Sequence, residues 1–422
     1  MTALREGMMT DRVQPEDVRL RGFSRRALVE DALAWLDAHT ERLETETVAL
    51  SAGHGRVSAA AVMAPGDLPP CDCAAVDGYA LRGVETAGAS AYNPLPFRVQ
   101  GEALPGRPFA TAATPGAAVR ISTGAPLPAG ADAVLAAEYA VSDLTHIEVT
   151  TAIAPGDHIN RRGSDFRQGD PVLPVGRRLR PHDVGLLAAL GCARIAVVRR
   201  PRVRLVITGT EWTAPGQASP VIPLYEANSL MLRGLIERDG GFLESCQTVP
   251  DEPAAIQETL LAVGADIVLV SGGSGSGRKD AVPNVVREHG ELAFHGLALR
   301  PAGSTGLGRA RGMPVVLLPG NPVACLCAYE CFAGRAIRRL GGRAGDWPHP
   351  RRQVRVARKI VSGIGMVDYY RVRLSDQGVV PLTAGSAALW SSVTRADGFV
   401  IVPGSSEGYP PGAEVTVYCF DP

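Results

Sequence analysis

The sequence predicts a multidomain protein of mixed α/β and β class. A helical opening is interrupted by a β-rich module, then comes a central α/β domain with a mostly parallel sheet, and last a small all-β tail. Three observations predict this. A length of 422 residues suits about two to four domains. Between Arg202 and Leu340, apolar strand-like runs alternate with helix-compatible segments, the pattern of a helix-flanked parallel sheet. On either side the texture changes to short β-like runs punctuated by proline and glycine.

In chain order, residues 1–22 are polar and aperiodic and read as a loose arm. Ser24 can cap a helix in which Leu28, Ala32, Trp35 and Leu36 recur at helical spacing to about His39. From Pro65 short β runs begin, among them Ala117 to Ile121, Ala133 to Tyr139 and His146 to Thr150. A charged turn at Ile159 to Asp165 leads to an apolar helix from Val184 to Leu190. The central domain then offers a strand at Val203 to Ile207, a helix at Asn228 to Arg238 and a short strand near Cys246 to Val249. A helix at Glu252 to Val263, a strand at Asp266 to Val270 and a helix-compatible segment from Asn284 follow. Gly341-Gly342 and Pro348-His349-Pro350 mark a boundary, after which Gln353 to Val356, Asp368 to Leu374, Gly398 to Val402 and Glu414 to Tyr418 read as strands. The expected division is therefore 23–64 with 151–190, 65–150 inserted between them, 191–345, and 346–422.

Composition narrows the function classes. Lys+Arg 43 against Asp+Glu 43 leaves no global basic field of the kind that advertises nucleic-acid binding. The eight cysteines form no pair of C-x-x-C knuckles, so neither a structural zinc site nor a disulfide scaffold is expected. Cys327 and Cys331, one helical turn apart, read as a shared face or as small buried apolar residues. The charged opening lacks the apolar core of a signal peptide. The most apolar window, Met313 to Phe332, is broken by Pro319 to Pro322 and carries Glu330. The expectation is a soluble cytoplasmic protein without membrane contact.

The residues that point to chemistry lie on loops. Ser271 to Asp280 reads S-G-G-S-G-S-G-R-K-D after an apolar strand and before a helix. Such a turn lets successive backbone N–H groups converge on an anion, or is an ordinary flexible connection. It is not a Walker A loop, because Arg278-Lys279-Asp280 follows Gly277. It is not a dinucleotide fingerprint either, because Gly273, Gly275 and Gly277 give G-x-G-x-G. Thr208-Gly209-Thr210-Glu211 and Leu318-Pro319-Gly320-Asn321-Pro322 fall at corresponding strand ends, where ligands of parallel sheets bind. Asp77-Gly78-Tyr79-Ala80 and Ser122-Thr123-Gly124-Ala125-Pro126 combine polar groups with constrained backbone, or are β-turns. Asp165 is a ligand or pairs with a neighbouring arginine.

Taken in order, Asp77-Gly78-Tyr79-Ala80, Thr123-Gly124-Ala125, Gly163-x-Asp165, Thr208-Gly209-x-Glu211, Ser271-Gly272-Gly273 and Leu318 to Pro322 resemble the molybdenum insertases. These are also called molybdopterin molybdotransferases, and the family includes the C-terminal domain of gephyrin. The likeness runs from about residue 25 to 418. It implies four subdomains: an elongated helical one, an inserted β module, a central three-layer α/β domain and a C-terminal β-barrel-like domain. It also implies a homodimer, a contact with molybdopterin adenylyltransferase, and Mg²⁺-dependent conversion of adenylylated molybdopterin and molybdate into molybdenum cofactor with release of AMP. By resemblance Asp77 and Glu211 hold the metal, with Asp280 and Thr123 completing the catalytic groups. Asp165, Thr208, Gly209, Ser271, Gly272, Gly273, Ser274, Lys279, Arg300, Pro301, Pro319, Gly320, Asn321 and Pro322 bind the pterin and its phosphate. Such chemistry asks chiefly for positioning and for neutralisation of developing negative charge.

The chain departs from the family pattern at definite places. Ser274-Gly275-Ser276 replaces Val-Ser-Val, and Thr210 stands where aspartate is common. Lys-Pro-Gly-Lys becomes Arg300-Pro301-Ala302-Gly303, so one positive charge becomes a guanidinium and the second is lost. Lys279, one of only two lysines in the chain, is expected to restore that charge. Lys279→Ala should then weaken binding of the phosphorylated pterin more than Lys359→Ala. The competing reading is a non-catalytic molybdopterin-binding paralogue, with a scaffold role like gephyrin's ranked below it.

Overall fold

The computed structural model describes residues 23–420 apart from 24, 144, 214, 218–223, 276, 278–279 and 384–386. The expected loose arm, the Ser24 cap and Lys279 therefore lie outside the described residues. Residues 47–197 make one compact unit, and the described residues up to Glu46 with those from Val198 onward make another.

Within 47–197, a six-stranded sheet runs in the order Ala133–Ala136, Gly78–Leu81, Ala117–Ile121, Leu95–Ala103, His146–Val149, Ala140–Ser142. All its pairs are antiparallel except Leu95–Ala103 with Ala117–Ile121. Successive residues of a strand point to opposite faces. Accordingly Ala80, Val119 and Val134 enter one core, while Tyr79, Leu81, Ala118 and Leu135 enter another. Both faces are covered, which is why these strands read as continuous apolar runs. Short strand pairs, Cys73–Ala74 with Ile159–Asn160 and Val62–Met63 with Pro171–Leu173, join the segments flanking the sheet. The helix expected at Val184 begins earlier, at Pro181, and ends at Ala189. Proline suits a first helical position, and the Asp183 carboxylate accepts from the Arg180 amide at 2.8 Å, fixing the start.

The other unit is built on a six-stranded sheet ordered Phe242–Val249, Arg202–Thr208, Ile267–Ser271, Met313–Leu318, Gly306–Ala310, Gly290–His295. The first four strands are mutually parallel and the last two pairings are antiparallel. Alternating residues feed two cores. Val203, Leu205, Ile207, Leu269, Val316 and Leu318 pack with the helices Val29–Ala38, Asn228–Arg238 and Pro322–Leu340, the last containing one π turn over Tyr329–Ala333. Val206, Val268, Val270, Val315 and Leu317 pack with Pro253–Leu261 and Val282–Glu288 on the other face. The strand expected near Cys246 is longer because Phe242–Val249 pairs along its whole length with Arg202–Thr208. The Glu252 helix begins at Pro253, again with proline at a first helical position. The opening helix begins at Val29 after an extended Leu28 rather than near Ser24.

The C-terminal strands Val367–Ser375, Gly398–Val402, Glu414–Cys419 and Arg351–Arg355 form an antiparallel sheet, with Gly378–Thr383 added to Val367–Ser375. The Ala357 amide donates to Val379 O at 2.9 Å, which ties the two edge strands together. Leu299–Arg300 joins the same sheet in parallel beside Val367–Asp368. No helix among the described residues is long and apolar enough to cross a membrane.

Candidate functional site

In the α/β unit the chain passes from Arg202–Thr208 out to Phe242–Val249 and returns to Ile267–Ser271 on the other side of the first strand. That reversal opens a crevice at the carboxyl ends of the two strands, the place where ligands of such sheets bind. Three of the expected loops meet there. Ser271 ends the strand between Thr208 and Leu318, and the Gly272 amide donates to Leu318 O at 3.2 Å. Gly272 has φ +95° and Gly273 has φ +57°. A Cβ on either would lie 2.7 or 2.9 Å from Thr208 Oγ1. Glycine is needed at both because of the backbone angle and because Thr208 approaches so closely.

Asn228, the first residue of its helix, ties the loops together from below. Its Nδ2 donates to Ser271 Oγ at 2.9 Å and to Gly320 O at 2.8 Å. Ser274 Oγ donates to Leu318 O at 3.0 Å, and His295 Nε2 meets Ser274 O at 2.8 Å. Thr208 Oγ1 and Asn228 Oδ1 are buried and have no hydrogen-bond partner among the described residues. Buried polar atoms are usually paired in folded proteins, and these two lie on the cradle, where a polar ligand would complete them.

The acidic groups are distributed on the loops. Gly209 has φ +122°, and a Cβ there would touch Glu211 Oε2 and Trp212 Nε1. The Trp212 indole donates to Thr208 O at 3.0 Å, pinning this turn. Asp280 Oδ2 accepts from the Gly277 amide, folding the end of the glycine-rich loop back on itself. Asp251, which sequence reasoning missed, follows the Phe242–Val249 strand, and its Oδ1 would lie 3.6 Å from a Cβ on Gly273. Position alone, one residue beyond Pro250 at a carboxyl strand end, could have flagged it. Asn228 and His295 gave no such signal, since a helix start and a strand end are ordinary places for both.

Arg300 gives its fork to Asp368. Nε and Nη2 each lie 2.6 Å from a carboxylate oxygen, and Ser362 Oγ donates to Asp368 Oδ2 at 2.6 Å. Asp368 is wholly buried, and its carboxylate raises the Arg300 pKa. The first charge of this segment is thus already balanced by a carboxylate.

In the other unit, Thr123 caps Asp77. Its amide and its hydroxyl both donate to Asp77 Oδ1, at 2.7 and 3.0 Å. The backbone bond first and then the hydroxyl hold the Asp77 carboxyl below its usual range. Gly78 must be glycine, because a Cβ would sit 1.9 Å from Leu135 O on the neighbouring strand. The turn therefore presents an ionised carboxylate on rigid backbone. Arg161 and Arg162 pair with Asp72 and Asp67 at 2.7 and 2.5 Å, and not with Asp165. Asp165 stays exposed and without an ion pair among the described residues. The surface-pair reading of Asp165 is thereby removed.

Cys325, Cys327 and Cys331 are buried in the core behind the Pro319–Pro322 loop. Burial pushes the Cys325 thiol up to about 12 and raises the other two as well. They act as packing groups. Among the described residues no three His, Cys, Asp or Glu side chains converge as a metal cage.

A switch-point cradle of glycine-rich loops, with carboxylates on the loops around it, defines a protein that binds a polar or anionic small molecule on an α/β domain. Comparison with known proteins narrows the class. Residues 27–191 match the MoeA N-terminal region (domain I and II), 204–339 a probable molybdopterin binding domain, and 353–420 the MoeA C-terminal region (domain IV). The chain is 33% identical over 351 residues to molybdopterin molybdenumtransferase 2 of Mycobacterium tuberculosis, covering 81% of this chain and 86% of that one. It is 32% identical over 389 residues to the molybdopterin molybdenumtransferase of Synechococcus elongatus, covering 89% and 94%. The crystal structure of a molybdopterin biosynthesis MoeA protein from Pyrococcus horikoshii superposes with a TM-score of 0.77 at 30% identity, covering 94% of this chain and all of that one. The chain belongs to the molybdopterin molybdenumtransferase (MoeA) family.

Proposed function

We propose that the protein is a molybdopterin molybdenumtransferase of molybdenum cofactor biosynthesis, acting on adenylylated molybdopterin and molybdate with release of AMP. The observation that carries this reading is the Ser271–Ser274 cradle with two buried atoms, Thr208 Oγ1 and Asn228 Oδ1, that have no partner among the described residues, inside the stretch that matches a molybdopterin binding domain. Backbone amides at Gly273 to Gly275 and the Pro319–Pro322 turn would hold the pterin and its phosphate. The pterin brings its own sulfurs for molybdenum, so the buried thiols are not needed as ligands. Asp165, Arg300 and Pro301 complete the proposed binding set, with the Arg300 side chain acting through the loop it braces against Asp368.

Cleavage of the phosphoanhydride needs its charge neutralised and its oxygens oriented. Mg²⁺ usually takes one or two carboxylates and leaves its other positions to water and phosphate. Single loop carboxylates such as Asp77 and Glu211 fit that demand, and a closed cage would not. When bound, the ion would supply charge neutralisation at the phosphates. Asp77, kept ionised by Thr123, suits a ligand role at any pH near neutral. Asp280 shapes the loop that faces the phosphate.

The proposed organisation is a cytoplasmic homodimer that receives its substrate by contact with molybdopterin adenylyltransferase. Its subdomains are 23–64 with 151–190, 65–150, 191–345 and 346–422, the helix Val29–Ala38 lending its apolar face to the third. The engagement of Arg300 by Asp368 favours one second reading, a paralogue that binds the pterin without turnover. Equilibrium binding of adenylylated molybdopterin, followed by addition of molybdate and Mg²⁺, separates the two. The enzyme reading expects tight binding and conversion. Tight binding with the adenylyl group retained supports the paralogue, and absence of binding overturns both.

A further inference from the structure

Arg26 stands at the same carboxyl edge as the cradle, on the loop that runs from His295 to Gly306. Residues 26–28 lie alongside 296–298: the Ala27 amide donates to Gly296 O at 3.0 Å, and the Ala298 amide donates to Ala27 O at 2.8 Å. This register brings Arg26 Nη1 to 3.0 Å from Gly303 O and 3.2 Å from Leu297 O. The guanidinium carbon lies 5.3 Å from the centre of the Phe23 ring. Phe23 packs edge-on against His295, with centroids 5.0 Å apart, and His295 Nε2 contacts Ser274 O at 2.8 Å. A continuous chain of contacts therefore joins Arg26 to the glycine-rich cradle.

Two carbonyls and an aromatic ring fix one side of this exposed guanidinium and leave its charge unbalanced. Among the described residues no carboxylate pairs with Arg26, and its Nε and Nη2 have no partner. Arg300, on the same loop, is bound to Asp368. A Cβ on Gly303 would lie 2.3 Å from Arg26 Nη1, so a side chain at 303 and the guanidinium of residue 26 compete for one space. The glycine at 303 removes a side chain from this edge, and the arginine fills the place it leaves.

We propose that Arg26 is an anion-binding side chain of the substrate site, directing its two unused N–H positions at a phosphate group of the pterin substrate held in the cradle. The proposal rests on the reading of the site given above. A planar fork with two adjacent donors matches phosphate geometry, and one anchored at Nη1 loses little further freedom on binding.

The test is equilibrium binding of adenylylated molybdopterin to the full chain and to Arg26→Gln, Arg26→Lys and the double variant Arg26→Ala/Gly303→Lys, at low and at high salt. Glutamine retains an N–H donor without the charge, and unchanged thermal melts show that the variants are folded. Arg26→Gln should bind roughly tenfold or more weakly with a shallower salt dependence, Arg26→Lys should fall between, and the double variant should recover much of the affinity. Binding by Arg26→Gln equal to that of the unaltered chain overturns the proposal and leaves the site reading intact. No binding by the unaltered chain overturns the site reading and the role of Arg26 with it.

Discussion

The Asn228 carboxamide nitrogen lies 2.9 Å from Ser271 Oγ, so the first residue of a helix fixes the last residue of a central strand. The same nitrogen reaches Gly320 O at 2.8 Å. One side chain thus sets the spacing between two loops of the cradle. Asn228→Ala should cost about 1–3 kcal/mol of stability by leaving buried acceptors unpaired. It should raise the KM for the pterin more than the lost stability explains. Denaturant unfolding together with a KM measurement checks both effects.

Gly272 is confined by its φ of +95° and by Thr208. Gly272→Ala should destabilise the loop by about 1 kcal/mol or more and impair pterin binding, while the far strands keep their protection. Hydrogen exchange of the Ser271 region against the C-terminal sheet reads the difference.

Removing the guanidinium of Arg300 leaves Asp368 buried with Ser362 as its remaining side-chain donor among the described residues. Breaking a fully buried ion pair costs roughly 3–5 kcal/mol. Arg300 is 43% exposed on its side chain, so solvent screening should reduce this to about 2–3 kcal/mol for Arg300→Ala. The loss should appear chiefly in the melting temperature. Arg300→Ala/Asp368→Asn should recover part of it.

Asp183 is held ionised by Arg180, by the Arg180 amide and by Arg177, which depress its pKa in the folded chain. Its contribution is therefore fully present above the unfolded value of about 3.9 and is lost as pH falls through that value toward the native one. Asp183→Asn should lower stability at neutral pH by about 1–2 kcal/mol, as for a lost helix cap. It should also flatten the stability curve below about pH 5. Urea midpoints measured from pH 3 to 7 test the sign.

The fold was legible wherever a physical pattern repeats along the chain. The alternation from Arg202 to Leu340 announced a parallel sheet, and glycines at strand ends announced its crevice. Boundaries shifted where tertiary pairing overrode local pattern, as when Phe242–Val249 extended along Arg202–Thr208. The motif-bearing residues Thr208, Ser271 and Gly320 converge as expected. Asn228, Asp251 and His295 were not foreseen, because their roles depend on which loops become neighbours in space. Arg300 was read as a charge of the pterin-binding set; its pairing with Asp368 was not foreseen, because that partner lies far along the chain on the strand that Leu299–Arg300 joins. Arg26 escaped notice for the same reason.

Chemistry at the cradle is tested most directly by the stoichiometry of AMP released against active cofactor formed. The purified chain is mixed with adenylylated molybdopterin, molybdate and Mg²⁺, and the product is scored by activation of a molybdenum-free apoenzyme. One AMP for each active cofactor, strongly reduced in Asp77→Asn and Glu211→Gln, is the predicted result. Pterin that stays bound and adenylylated in the presence of molybdate and Mg²⁺ would contradict it.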